Sequence, residues 1–265
     1  MKTIIKVYTQ NMKNHFSLQK GIYHGINTNL NFKDIITKYE IDIAGLQEMT
    51  VDRNTVLKDN LESSYHFVSG RFRLPEFCLK IPFGKLCGEY NPILSSDRFE
   101  VLNQKTYLLP FFKDLRHQLF TSQPALMPRI ANVVLLKDKV DGTKVVVMNT
   151  HIDYNSEKVQ TLQLNYIIHI LQEISVSYPT IIMGDFNLEP QNIVLQNFFK
   201  QLQSMNFQTT YSPSATWIHH KDSEKNGIYD HIFYKNFEIK DFQLLDSRES
   251  LQTDHKRLIL SLQKR

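Results

Sequence analysis

Eight side chains of this 265-residue sequence are of the types that handle metal ions, protons and phosphate: Asn11, Glu48, His151, Asp185, Asn187, Asp230, Asp254 and His255. Their settings repeat. Asn11 closes a run of apolar residues, Glu48 follows IAGLQ, and His151 follows VVVMNT. Asp185 and Asn187 follow TIIMG, Asp230 opens DHIFY, and Asp254-His255 stands just before RLIL. Taken singly, each has an ordinary reading. Asn11 is a turn former, Glu48 a solvated or helix-start carboxylate, and His151 a satisfied, half-buried histidine. Asp185-Phe186-Asn187 is a tight turn, and Asp254-His255 merely precedes a strand. Recurrence at strand ends within one chain weakens those readings together, because strand ends are rigid platforms from which side chains converge on one cleft. The chemistry would be that of hard oxygen ligands and proton carriers. Glu48 and Asp254 suit Mg²⁺, with Mn²⁺ as an alternative, since Mg²⁺ takes one or two carboxylates and keeps several waters. Histidines without a cysteine cluster give no structural zinc pattern. No GxxxxGK[ST], GxGxxG or GxSxG motif is present, which argues against nucleotide-binding folds and serine hydrolases.

The elements that must hold these groups can be read from pattern. Apolar, β-branched runs predict strands over 4–8, 41–46, 65–69, 92–95, 99–109, 130–136, 144–149, 180–183, 231–234, 237–245 and 257–262. Asp141-Gly142 is a hairpin turn signal. Helices are predicted over 32–39, 52–61, 156–174 and 191–203. In the third, Val159, Leu162, Tyr166, Ile167, Ile170, Leu171 and Ile174 recur at helical spacing behind the N-cap candidate Ser156. Pro190 lies near the start of the last. Residues 71–90 mix aromatic, basic, Pro and Gly residues without period and read as an irregular loop or hairpin. Strands outnumber helices and do not alternate strictly with them, so mixed sheets with helices outside fit better than one parallel sheet.

Composition sets bounds. Hydrophobic residues are 42% and charged residues 22%, both ordinary for a folded protein. Nothing resembling a linker divides the chain, so residues 1–265 read as one domain. The formal charge of +4 permits a phosphate-bearing substrate without demanding nucleic acid. Two cysteines, Cys78 and Cys87, are too few for a disulfide scaffold and read as a reduced pair. No run is apolar enough for a signal-peptide core or a membrane span. A cytoplasmic monomer is the expectation.

The motifs TQNM (9–12), GLQE (45–48), GEYNPILSSDRF (88–99), MPRIANVVLL (127–136), NTHIDYNSEK (149–158), IIMGDFNLEP (181–190), YDHIFY (229–234) and TDHKRLIL (253–260) then carry a resemblance. In this order they resemble the endonuclease/exonuclease/phosphatase superfamily, the DNase I-like proteins, and most nearly its compact bacterial hydrolases. The combination of GDFN, NTH-x-D and a late DH is specific, and the matched stretches cover essentially the whole chain. The resemblance implies an α/β, four-layered sandwich of two facing mixed sheets with helices outside. It implies Glu48 as main metal ligand, assisted by Asp254 and by Asn11 through water. Asp185 would position or deprotonate the attacking water, with the choice of base among the carboxylates open, and Asn187 would orient that water and the phosphate. His255, oriented by Asp230, would contact the phosphate. His151 would stabilise developing charge or protonate the leaving oxygen. Arg129 would clamp a phosphate or sit in a salt bridge, and Asp153 would back His151 or be a plain loop residue.

Three functions compete. The first is a metal-dependent phosphodiesterase or phosphatase acting on a small molecule, sugar phosphate or lipid headgroup. The second is a DNA or RNA nuclease, for which the basic and aromatic residues of 71–90 could supply stacking and phosphate contacts. The third, a binding module without chemistry, is disfavoured because every expected residue type is present.

Overall fold

The computed structural model describes residues 3–12, 28–49, 51–70, 90–110, 129–174, 177–218, 226–246 and 253–265. The expected loop at 71–90, apart from Tyr90, lies outside these residues, as do Cys78, Cys87, His219 and His220.

The described elements are β1 (Ile4–Asn11), α1 (Thr28–Lys38), β2 (Ile43–Gln47), α2 (Val51–Leu61), β3 (Tyr65–Val68), β4 (Ile93–Ser96), β5 (Phe99–Leu108) and β6 (Ile130–Asp138). They continue with β7 (Lys144–His151), α3 (Glu157–Ile174), β8 (Thr180–Asp185), α4 (Ile193–Ser204), β9 (Phe207–Thr209), β10 (Asp230–Lys235), β11 (Phe237–Leu245) and β12 (Arg257–Lys264). Two six-stranded mixed sheets result, ordered β11-β12-β1-β2-β4-β3 and β5-β6-β7-β8-β10-β9. Each has one parallel pair at its centre, β1 with β2 and β7 with β8, and antiparallel pairs elsewhere.

Three apolar layers hold the sandwich. Val7, Ile43, Val147, Ile181, Ile232 and Leu260 meet between the sheets. Tyr8, Leu46 and Ile259 face outward from the first sheet onto Phe32, Ile36 and Leu57 of α1 and α2. Met148, Ile182 and Phe233 face outward from the second onto Leu164, Ile167, Leu195 and Phe198 of α3 and α4. The central strands are thus buried on both faces, which is why they read as continuous apolar runs rather than alternating ones.

Most predicted elements sit where the pattern put them. Strands β1, β7 and β8 run two or three residues further than expected, so that Asn11, His151 and Asp185 are their last residues. Their polar character hid them from an apolar-run criterion, while parallel pairing carries the backbone on. The short β9 was not anticipated; three residues pairing with β10 leave no periodicity to read. The cap of α4 is Asn192, whose Oδ1 accepts the amide of Val194, rather than a start at Gln191.

Candidate active site

Topology brings the chemistry together at one end of the sandwich. β1 and β2 run parallel, so Asn11 and Gln47-Glu48 emerge side by side. β7 and β8 do the same, pairing His151 with Asp185 in register. Antiparallel β10 delivers its first residue, Asp230, opposite Asp185. The two parallel pairs lie on facing sheets, and the site bridges them.

Asn11 is the link. Its Nδ2 donates to Glu48 Oε1 and to Asp185 Oδ2, both at 2.9 Å, tying a carboxylate of each sheet to one amide. Thr253 fastens the last segment to the same place, donating its hydroxyl to the Asn11 carbonyl at 2.8 Å and accepting the His255 amide at 3.2 Å. His255 Nδ1 then lies 2.9 Å from Asp230 Oδ2, and its Nε2 lies 3.7 Å from Asp185 Oδ2. His151 Nε2 approaches the same Asp185 oxygen at 3.8 Å and Glu48 Oε1 at 4.0 Å. Asn187 Nδ2 donates to the Ile152 carbonyl at 2.9 Å and stands 3.0 Å from His151 Nε2.

Local backbone is specialised here. Glu48 and Asn187 hold φ of 56° and 49°. Left-handed backbone costs roughly 1–2 kcal/mol for a residue such as Glu48, so the surrounding contacts must impose it. Gly184 has φ of 150°, and a Cβ there would lie 1.9 Å from the Thr150 carbonyl oxygen. Only glycine lets β8 pass β7 closely enough to present Asp185 beside His151.

The electrostatics follow from burial and charge. Burial pushes the Asp185 carboxyl up, and the neighbouring imidazoles of His255 and His151 only partly offset it. Burial alone would depress His255, but the charge and hydrogen bond of Asp230, with Asp185 and Asp254 behind them, raise it to about 10. His255 is therefore an imidazolium across the neutral range.

Arg129 and Asp153 resolve differently from one another. Arg129 is buried, with its Nη1 2.8 Å from His151 Nδ1. A guanidinium carries only donors, so Nδ1 is the acceptor toward Arg129; Asn187 Nδ2 at Nε2 is also a donor, and a neutral ring accepts at one nitrogen only. Asp153 Oδ1 accepts the amides of Asn155 and Ser156, shaping the entry to α3. Of the two roles weighed for it, the structure shows the loop role. Asp254 sits on the turn before β12, where its carbonyl accepts the Ile218 amide and its charge contributes to raising His255.

Two groups could hold a cation. Asp185, Asp230 and His255 each offer one ligand atom, all within 4.8 Å of one another. A protonated His255 bonded to Asp230 opposes a cation there. Glu48, with 27% of its side chain exposed and its Oε1 2.9 Å from the Asn11 amide, offers a carboxylate oxygen of the hard kind that divalent cations take. A cavity of about 590 Å³ lies elsewhere, between Tyr65–Val68 and Val101–Gln104 at the sheet edges, and contains none of these residues.

Sequence reasoning missed the buried amides and the hydroxyl beneath the site: Gln10, whose Nε2 donates to the His255 carbonyl at 3.0 Å, and Gln47, Asn149 and Thr253. The signal was available, since Gln and Asn inside otherwise apolar strands must find partners.

The sequence matches the family model described as the endonuclease/exonuclease/phosphatase family over residues 22–255, and the chain belongs to that family. No curated protein matches it. Among solved structures, an endonuclease/exonuclease/phosphatase from Bacteroides vulgatus aligns over 100% of both chains with TM-score 0.79 and 23% identity. The human Nocturnin catalytic domain with a bound sulfate aligns over 100% of this chain and 96% of that one, with TM-score 0.76 and 18% identity. A mannosyl-6-phosphatase from Bacteroides thetaiotaomicron aligns over 97% and 99%, with TM-score 0.72 and 19% identity. The DNase I-like sandwich expected from the sequence is the fold observed.

Proposed function

We propose that this chain hydrolyses phosphate esters, by in-line attack of a water that Asp185 deprotonates. The observation that carries the reading is the position of Asp185 Oδ2: 2.9 Å from Asn11 Nδ2, 3.7 Å from His255 Nε2 and 3.8 Å from His151 Nε2. A buried carboxyl raised above its usual range is a stronger base than an ordinary one, and it is flanked by donors suited to an anionic phosphate.

The roles follow the atoms. Asp185 takes the proton of the water as its oxygen bonds phosphorus and the bond to the leaving oxygen breaks. His255, kept charged by Asp230, donates toward the phosphoryl oxygens, where charge grows. Asn187 orients the water and the phosphate. His151, oriented by Arg129, donates from Nε2 to the developing charge on the leaving oxygen. Arg129 thereby serves the phosphate through His151. Glu48, with Asp254 and Asn11, would hold Mg²⁺ or Mn²⁺, which when bound supplies positive charge that stabilises the transition state.

For substrate we favour a small phosphate ester, a sugar phosphate or lipid headgroup, over nucleic acid. The modest net charge supports this choice, as does a mannosyl-6-phosphatase that shares the fold. The test is release of nitrophenol from p-nitrophenyl phosphate and bis(p-nitrophenyl) phosphate with Mg²⁺, beside EDTA and His255→Ala, and with supercoiled plasmid in parallel. Ester turnover that EDTA abolishes and His255→Ala lowers by about 10²–10⁴-fold is the expected result. Turnover untouched by both controls would sink the mechanism. Plasmid nicking without ester turnover would move the substrate class to nucleic acid.

A further inference from the structure

A seam of polar side chains crosses the apolar interior beneath the site. Asn149 lies on β7, two residues before His151, and is wholly buried. Its side chain reaches out of its own sheet. Nδ2 donates to the carbonyl of Leu46 on β2 at 2.8 Å and to that of Pro92, just before β4, at 2.9 Å. Oδ1 accepts from Gln47 Nε2 at 2.6 Å, and Gln47 is the last residue of β2, adjacent to Glu48. Gln47 Nε2 also reaches Thr9 Oγ1 of β1 at 3.1 Å. Gly45 makes the room: a Cβ there would lie 2.9 Å from Cγ and Oδ1 of Asn149.

Packing alone does not call for an amide at this place. A leucine has the same branched shape, though more bulk, and brings no polar atoms to satisfy. What the three bonds fix is the relation between two strand ends on different sheets. Apolar faces attract without direction, so two sheets held only by them can slide by fractions of an ångström. An amide bridge is directional. It pins the end of β2, which carries Glu48, against the end of β7, which carries His151, where Glu48 Oε1 and His151 Nε2 are 4.0 Å apart.

We propose that Asn149 is a positioning residue for the hydrolysis proposed above, on which this inference rests, and that its amide sets the register between the Glu48 side and the His151–Asp185 side of the site. The variant Asn149→Leu keeps the branched shape, with more bulk, and removes all three bonds. Gln47→Met removes the link from the other partner and serves if the first variant folds poorly. Leu171→Ala, in the helix-covered core of the second sheet, provides a chain destabilised without touching the seam. Turnover of bis(p-nitrophenyl) phosphate with Mg²⁺, and Mn²⁺ binding by calorimetry, are measured well below each melting temperature. The expected result is a loss of roughly 10–100-fold in kcat and in Mn²⁺ affinity for the seam variants, with KM for the ester little changed. Leu171→Ala should keep both values near wild type. Seam variants that behave like Leu171→Ala overturn the inference and leave the phosphoesterase reading standing. A wild-type protein that neither turns over ester nor binds Mn²⁺ overturns that reading, and the inference with it.

Discussion

Asp230 shows how one side chain sets the working range of another. After the opposing effect of burial, its charge and hydrogen bond are the largest influences on His255, whose value stands at about 10. Replacing Asp230 by Asn removes the charge while keeping the shape. His255 should then lose its proton at lower pH, moving the alkaline limb of the pH–rate profile down and lowering kcat by about 10²–10⁴-fold. A full pH–rate profile checks this, and an unmoved alkaline limb would count against His255 as the charged donor. The acid limb belongs to Asp185 and should lie above the ordinary carboxylate range, because burial raises that group. At this scale the sequence was informative about which residues matter and silent about what they touch. His151, Asp185 and His255 could be singled out by type and place. That Arg129 would meet His151 Nδ1, or Asp153 the start of α3, depends on rotamers and on neighbours distant in the chain.

At the scale of elements, the site depends on how closely β7 and β8 approach. Gly184→Ala would force a Cβ against the Thr150 carbonyl and place alanine at φ of 150°. An unstrained Gly→Ala change stabilises by about 0.4–1 kcal/mol; here we expect a loss larger than that gain, read as a lower midpoint in urea. A midpoint equal to wild type would show that the strands can part without penalty. Apolar runs announced most strands and the helical spacing announced α3, since burial on one or both faces writes itself into composition. The ends of β1, β7 and β8 were illegible for the same reason: there the chain stops burying apolar residues and begins presenting polar ones, while the pairing continues.

At the scale of the whole molecule, a charged cluster ties the sheets together. Arg98 reaches Asp138 at 2.7 Å, Asp42 at 3.3 Å and the Ile4 carbonyl at 2.6 Å, while Lys264 reaches Asp138 at 2.6 Å and Asp141 at 2.8 Å. Burial alone would raise Asp138, but its bonds to Arg98 and Lys264 hold it below the usual range. Burial alone would raise Asp141 as well, but Lys264 and Thr143 lower it to about 2. Both carboxyls bind protons less readily in the folded chain than in the unfolded one. Their stabilisation is present above about pH 4 and disappears as pH falls through the folded values. Lys264→Met should leave Asp138 buried and short of a partner. The expected cost is about 3–5 kcal/mol at pH 7, shrinking in denaturant titrations near pH 3. A penalty independent of pH would show that Lys264 matters for its packing alone. None of this cluster was legible beforehand, because its members come from five separate stretches of sequence.

The pairing of β1 with β12 joins Ile4 to Gln263, so β1 waits for a strand made about 250 residues after it. His255 lies just ahead of that closing strand, and Thr253 docks on Asn11 only when it arrives. Until then β1 lacks this neighbour, and a nascent chain carries an unpaired edge. The same delay means that a chain translated only through β10 has no His255 beside Asp185, so the hydrolysis proposed above would have to wait for the segment that carries it.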